Sequence, residues 1–127
     1  MKKVLIVDDV KGWRDYHEHR VREIFDDAEI FTAESARDGY NKIMEHNSEP
    51  FNIILTDMQM EEDFDPKYAG EWFIEQIKTF SNYKNTKIVI VSAAFNISLI
   101  AKTYGVEYLT KQTARNFSDA YDLLKQI

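Results

Sequence analysis

The chain has 127 residues, the size of one ordinary domain, with 44% apolar and 30% charged residues and a net charge of −6. It contains no cysteine, which excludes disulfides, thiolate metal sites and cysteine nucleophiles. The acidic balance speaks against direct binding of nucleic acid, whose phosphates call for clustered lysine and arginine, and no apolar run approaches the length that crosses a bilayer.

At the N-terminus, MKKVLIVDD has an apolar stretch too short for a signal-peptide core, so a cytoplasmic location is expected. Val4–Val7 is a continuous apolar run that predicts a first strand, closed by Asp8 and Asp9. Trp13, His17, Val21, Ile24 and Phe25 then recur at helical steps. Glu29–Ala33 reads as a second strand, and Ser35 as the N-cap of a helix carrying Ala36, Tyr40, Ile43 and Met44. Ile53–Thr56 predicts a third strand that runs into Asp57, and Phe73, Ile77 and Phe80 mark the helix after it. The fourth strand, Ile88–Val91, leads to Ser92, Ala93 and Ala94; its helix carries Ile97, Ile100, Ala101 and Tyr104 and should stop at Gly105. The last strand, Glu107–Leu109, runs into Lys111, and a final helix is expected over Thr113–Ile127 with Phe117, Ala120, Tyr121 and Leu124 on its apolar stripe.

Alternating strands and helices with short connections imply an α/β fold over residues 1–127, a doubly wound parallel sheet with right-handed crossovers. Ligands of such sheets gather at the carboxyl ends of the strands. The residues found there are Asp8 and Asp9, Asp57, Ser92 and Lys111. Converging carboxylates repel one another unless a hard, oxygen-seeking cation joins them, and Mg2+ suits such a donor set. A lysine and a hydroxyl nearby suit phosphate oxygens. Each residue alone has an ordinary structural reading as a cap, turn or surface group. Their joint placement points to phosphoryl transfer, where positioning and charge neutralisation carry the chemistry.

The segments VLIVDD (Val4–Asp9), IILTDMQM (Ile53–Met60), IVSAA (Ile90–Ala94) and YLTK (Tyr108–Lys111) make the chain resemble the receiver domains of two-component response regulators along its whole length. The resemblance implies a (βα)5, flavodoxin-like fold with strand order 2-1-3-4-5 and a phosphorylation-dependent signalling switch rather than a turnover enzyme. It makes Asp57 the phosphoacceptor, with Mg2+ (or Mn2+) held by Asp9, Asp57 and the backbone carbonyl of Gln59, and by Asp8 mainly through water. Lys111 would pair with Asp57 and then with the phosphoryl oxygens, and Ser92 would hydrogen-bond the phosphoryl group. Tyr108 matches the aromatic switch position, and Gln59 and Ala94 match the positions that tune phosphoryl lifetime. The implied partners are a histidine kinase or histidine phosphotransfer protein upstream. Downstream, a protein or a second copy in a homodimer would bind the helix 4–strand 5–helix 5 face.

The sequence departs from this pattern at three places. Glu61 stands where the family usually has proline, Gln112 follows Lys111 in place of another, and the segment Glu61–Gly70 is longer than usual. That segment reads as a solvated acidic insertion or as a lid whose Phe64 or Tyr68 shields the acyl phosphate. The histidines lack the i, i+4 spacing of a zinc site, so structural or surface roles are expected for His17, His19 and His46. No Gly-x-Gly-x-x-Gly or Walker A sequence is present, which removes dinucleotide and nucleotide-triphosphate readings. An alternative is a phosphorylation-independent binding module on the same fold. A Mg2+-dependent phosphohydrolase is disfavoured, because Asp8 and Asp9 are adjacent rather than spaced as Asp-x-Asp.

Overall fold

β-Branched and aliphatic runs become strands, and the apolar stripes between them become the helices that cover the strands. In the computed structural model, which describes residues 1–60 and 68–126, the strands are β1 (Lys3–Val7), β2 (Glu29–Ala33), β3 (Ile53–Thr56), β4 (Lys87–Ser92) and β5 (Glu107–Thr110). All pair in parallel in the order β2-β1-β3-β4-β5. The helices are α1 (Lys11–Ile24), α2 (Ala36–Glu45), α3 (Ala69–Ile77), α4 (Ile97–Tyr104) and α5 (Lys111–Asn116), with short 3₁₀ segments at Ser81–Tyr83 and Ala120–Lys125.

Strand side chains alternate between the two faces of the sheet, and the interior divides accordingly. Leu5, Val7, Ile54, Ile88 and Ile90 pack against α2, α3 and α4 through Ile43, Phe73, Ile74, Ile77 and Ile100. Val4, Ile6, Leu55, Val89 and Val91 pack on the other face against Val21 of α1 and against Ala114, Tyr121 and Leu124 of the C-terminal segment. Two local signals fall where the sequence places them. The Ser35 side chain accepts a 2.9 Å hydrogen bond from the Asp38 amide at the start of α2. Gly105 ends α4 at φ 67°, a left-handed conformation that glycine adopts without steric cost.

The C-terminus differs from the expected single helix over Thr113–Ile127. Helix α5 begins at Lys111, capped by the Thr110 side chain, and ends at Asn116. Phe117 is extended and 58% exposed, so it leaves the apolar stripe expected of it. Asn116, Ser118 and Asp119 favour turns over helix interiors. After the break, Tyr121 and Leu124 are three apart, the period of a 3₁₀ helix, and both are buried. Two smaller differences have similar causes: Met44 sits on the outer side of α2 and is exposed, and Phe80 lies beyond the end of α3, packed against the core from the following turn.

Gly70 shows how closely α3 is seated on the centre of the sheet. A Cβ there would lie 2.2 Å from the Asp57 carbonyl oxygen and 2.7 Å from the Met58 Cα, and the Gly70 amide donates to the Met58 carbonyl at 3.0 Å. Any side chain at 70 must push the helix off the backbone of Asp57. We expect Gly70→Ala to lower stability by about 1–3 kcal/mol, the usual cost of overpacking, in urea unfolding. Gly12→Ala on α1, where a Cβ meets nothing within 4 Å, should be neutral or stabilising by up to about 1 kcal/mol.

Candidate functional site

Parallel pairing in register brings the strand ends to one edge. Val7 of β1 lies beside Thr56 of β3, so Asp8 and Asp57 leave the sheet together. Thr56 lies beside Ile90, and Ser92 beside Thr110, so Ser92 and Lys111 emerge at the same edge. The backbone keeps this order past the strands: the Asp8 amide donates to the Ala33 carbonyl at 3.1 Å and the Asp57 amide to the Val7 carbonyl at 3.0 Å.

Asp8, Asp9 and Asp57 each place a carboxylate oxygen within 4.8 Å of the others. Asp57 Oδ1 accepts the amides of Met58 at 2.7 Å and Gln59 at 3.3 Å, while Oδ2 accepts the Lys111 ammonium at 2.8 Å. Asp8 Oδ1 accepts the Val10 amide at 2.9 Å, and its Oδ2 lies 3.1 Å from Lys111 Nζ. No well-aligned hydrogen bond reaches that buried Oδ2, and the lysine acts there first through its charge. Lys111 itself is steered by Trp13, whose ring lies 5.0 Å from Nζ and 5.1 Å from the Arg115 guanidinium on α5. A cleft of about 440 Å³ opens beside them, lined by Trp13, Ala93, Lys111, Gln112, Arg115 and Asn116.

The electrostatics follow from burial. Desolvation pushes the pKa of Asp8 up, against the opposing Val10 amide, and the Asp57 charge adds to the rise. Burial pulls Lys111 down, but the hydrogen bond and charge of Asp57, with Asp8 behind them, outweigh it and leave its pKa raised. Lys111 offsets one of three carboxylates, and the excess suits a divalent cation. The donors are oxygens only, and one buried carboxylate oxygen lacks a well-aligned hydrogen bond, so the residues present fit Mg2+ or Mn2+.

The other expected residues are placed as follows. Ser92 is fully buried, with its Oγ accepting the Ala94 amide at 3.1 Å. Ala94 is buried and Gln59 is exposed at the rim. Tyr108 is 45% exposed on β5, three residues before Lys111. Phe64 lies outside the described residues, as does the rest of Glu61–Lys67. Tyr68 is half-buried, packs against the core and is the N-cap of α3, its amide held by the Glu71 carboxylate at 3.1 Å.

Three contacts carry no motif: the Trp13 ring against Lys111, the seat of Gly70 on the Asp57 backbone, and the approach of His17 to Asp8. The stripe Trp13–His17–Val21 was the available signal for His17, since it puts a polar ring on the core face of α1.

The match of a family model for the response regulator receiver domain over residues 4–121 establishes the class: the chain belongs to the response regulator receiver domain family. Solved structures agree. The chemotaxis protein CheY4 of Vibrio cholerae is 25% identical, with 99% of this chain and 95% of that one covered and a TM-score of 0.74. A response regulator receiver domain protein from Clostridium thermocellum is also 25% identical, covering 99% and 98%, with a TM-score of 0.70. The fold is shared as well by the response regulator TrrA of Thermotoga maritima, solved in complex with Mg2+-BeF, at 24% identity, 99% and 98% coverage and a TM-score of 0.76. A comparison with curated proteins finds no match.

His17 generates a pH prediction. Burial, and next the charge of Lys111, lower its pKa from the ordinary 6.5 to about 3. The unfolded chain takes up this proton near pH 6.5 and the folded chain does so only near pH 3, so stability is full above pH 6.5 and falls as the pH drops below it. This histidine should remove about 2 kcal/mol between pH 7 and 5. In urea unfolding across that range, His17→Leu should lack that component of the slope.

Proposed function

We propose that the chain is a single receiver domain acting as a phosphorylation-dependent signalling switch, with Asp57 accepting the phosphoryl group. The observation that carries this is the division of labour at Asp57. Its Oδ1 is fixed by backbone amides while Oδ2 faces the Lys111 ammonium at 2.8 Å. That leaves Oδ2 as an oriented nucleophile with a cation beside it. The donor is a histidine kinase, a histidine phosphotransfer protein or a small acyl phosphate, reaching Asp57 past the cleft beside Trp13. The bond from phosphorus to the donor nitrogen or oxygen breaks as phosphorus bonds to Oδ2, and the donor leaves with the electron pair. Asp9, Asp57 and the Gln59 carbonyl would hold Mg2+, with Asp8 acting mainly through water, and the ion would supply charge neutralisation for the transferring group. Lys111 follows the new negative charge, and the Ser92 hydroxyl turns from the Ala94 amide to donate to a phosphoryl oxygen.

An aspartyl phosphate adds about two negative charges beside Lys111 and Ser92, which biases a two-state equilibrium. Tyr108 then moves inward from its exposed position, while Gln59 and Ala94 set how long the phosphoryl group survives. The output runs through the α4–β5–α5 face to a downstream protein or a second copy, in the cytoplasm and without direct nucleic-acid contact. On these elements Leu99 of α4 is 65% exposed and Tyr108 of β5 45% exposed, and Phe95, in the turn before α4, is 94% exposed. Among the described residues no helix is long and apolar enough to cross a membrane. Because Phe95 and Leu99 are exposed without any modification, a phosphorylation-independent binding module is the second reading.

Intact-protein mass spectrometry after incubation with acetyl phosphate separates the two. The switch reading expects a Mg2+-dependent gain of one phosphoryl mass, absent with EDTA and absent in Asp57→Asn. Lys111→Ala should label about 10- to 100-fold more slowly, as expected for loss of a charged hydrogen bond worth about 1.5–3 kcal/mol. No gain from acetyl phosphate or from phosphorylated kinases favours the binding module, and equal labelling of Asp57→Asn contradicts the assignment.

A further inference from the structure

Directly beneath the carboxylates, α1 presents a histidine to the interior. His17 is 2% exposed, and its ring is enclosed by Trp13, Tyr16 and Tyr121. One ring nitrogen, Nδ1, lies 2.6 Å from the Tyr121 hydroxyl, which is itself 1% exposed. The other, Nε2, faces Asp8 Oδ2 at 4.0 Å. That oxygen is the buried carboxylate atom that no well-aligned hydrogen bond reaches.

The chemistry of the ring decides which nitrogen carries the proton. A neutral imidazole has one N–H, and the hydrogen bond made by one nitrogen sets the tautomer of the other. Burial pushes the Tyr121 phenol up, so it keeps its proton and donates it to Nδ1. The ring proton then sits on Nε2, pointing at Asp8. The opposite tautomer would aim a lone pair at a carboxylate oxygen and leave the buried phenol proton without that acceptor. At 4.0 Å the Nε2–Asp8 contact is about 1 Å longer than a hydrogen bond, so a small movement of either group closes it.

We infer that His17 is a positioning residue for the carboxylate trio: its Nε2–H, fixed by the Tyr121 hydroxyl, orients Asp8 toward the cation and ties the site to the C-terminal segment. The link continues outward. The Arg20 guanidinium lies 4.7 Å over the Tyr121 ring and donates to the Ser118 carbonyl at 2.6 Å, so Arg20 joins α1 to the segment that carries Tyr121. Coupling free energies are reciprocal. Whatever Tyr121 adds to cation affinity, the cation adds to the anchoring of this segment.

The inference rests on the proposed cation site, and calorimetric titration of the folded chain with Mg2+ alone tests the two separately. Groups that orient metal ligands from behind typically contribute about 10- to 100-fold to affinity. Over the longer contact here, Tyr121→Phe should weaken Mg2+ about 3- to 10-fold and His17→Leu about 10-fold. His17→Gln, which returns an N–H near the Nε2 position, should recover most of the loss. Mg2+ binding by the wild type with Tyr121→Phe and His17→Leu folded and within twofold of it overturns this inference alone. A wild-type chain that binds no Mg2+ overturns it together with the proposed cation site. If the variants do not fold, nitrogen-15 NMR of the wild-type imidazole decides: a protonated Nε2 that shifts on adding Mg2+ supports the inference, and a protonated Nδ1 contradicts it.

Discussion

The repulsion among Asp8, Asp9 and Asp57 governs the arrangement around them. Carboxylate charges no more than 4.8 Å apart repel by at least about 3.5 kcal/mol at an effective dielectric constant of 20. Asp8 is fully buried, so water does little to relieve it. The surroundings act to contain that charge: Lys111 reaches two of the carboxylates, backbone amides of Val10, Met58 and Gln59 donate to their oxygens, and Trp13 with Arg115 shapes the approach of the lysine. What remains uncompensated is suited to a divalent cation.

The fold can hold this charge because parallel pairing in register brings the ends of strands far apart in the chain to one edge. β1 and β3 are buried on both faces by separate cores, so the positions of Asp8 and Asp57 are fixed by packing above and below. Gly70 fixes the remaining side by seating α3 against the Asp57 peptide. Two sets of contacts lead away from these positions. One passes along β4 and β5 toward the exposed Phe95, Leu99 and Tyr108. The other passes through His17 to Tyr121 and the C-terminal turn.

Much of this was legible in the sequence because period and punctuation agreed. Continuous apolar runs at Ile53–Thr56 and around Ile88–Val91 announced strands covered on both faces, and Ser35 and Gly105 marked helix ends that the structure reproduces. The acidic pair, Asp57 and Lys111 were legible because each immediately follows a strand, where topology dictates convergence. The C-terminal helix was not. Phe117, Ala120, Tyr121 and Leu124 fit a helical stripe as letters, but only tertiary contact decides that Tyr121 and Leu124 fill the core while Phe117 does not. His17 was ambiguous for the same reason. Its place on an apolar stripe signalled burial, but its contacts with Asp8 and Tyr121 join residues 104 apart in one direction and nine apart in the other.

The carboxylate trio carries charge that a divalent cation should relieve in the folded state alone. Urea unfolding of the wild-type chain in MgCl2 and in NaCl of equal ionic strength tests it most directly. A cation that binds only the folded state should raise stability by about 2.7 kcal/mol at one hundred times its dissociation constant, with a dependence on Mg2+ concentration that saturates as one site. Coincident unfolding curves in the two salts would contradict the account.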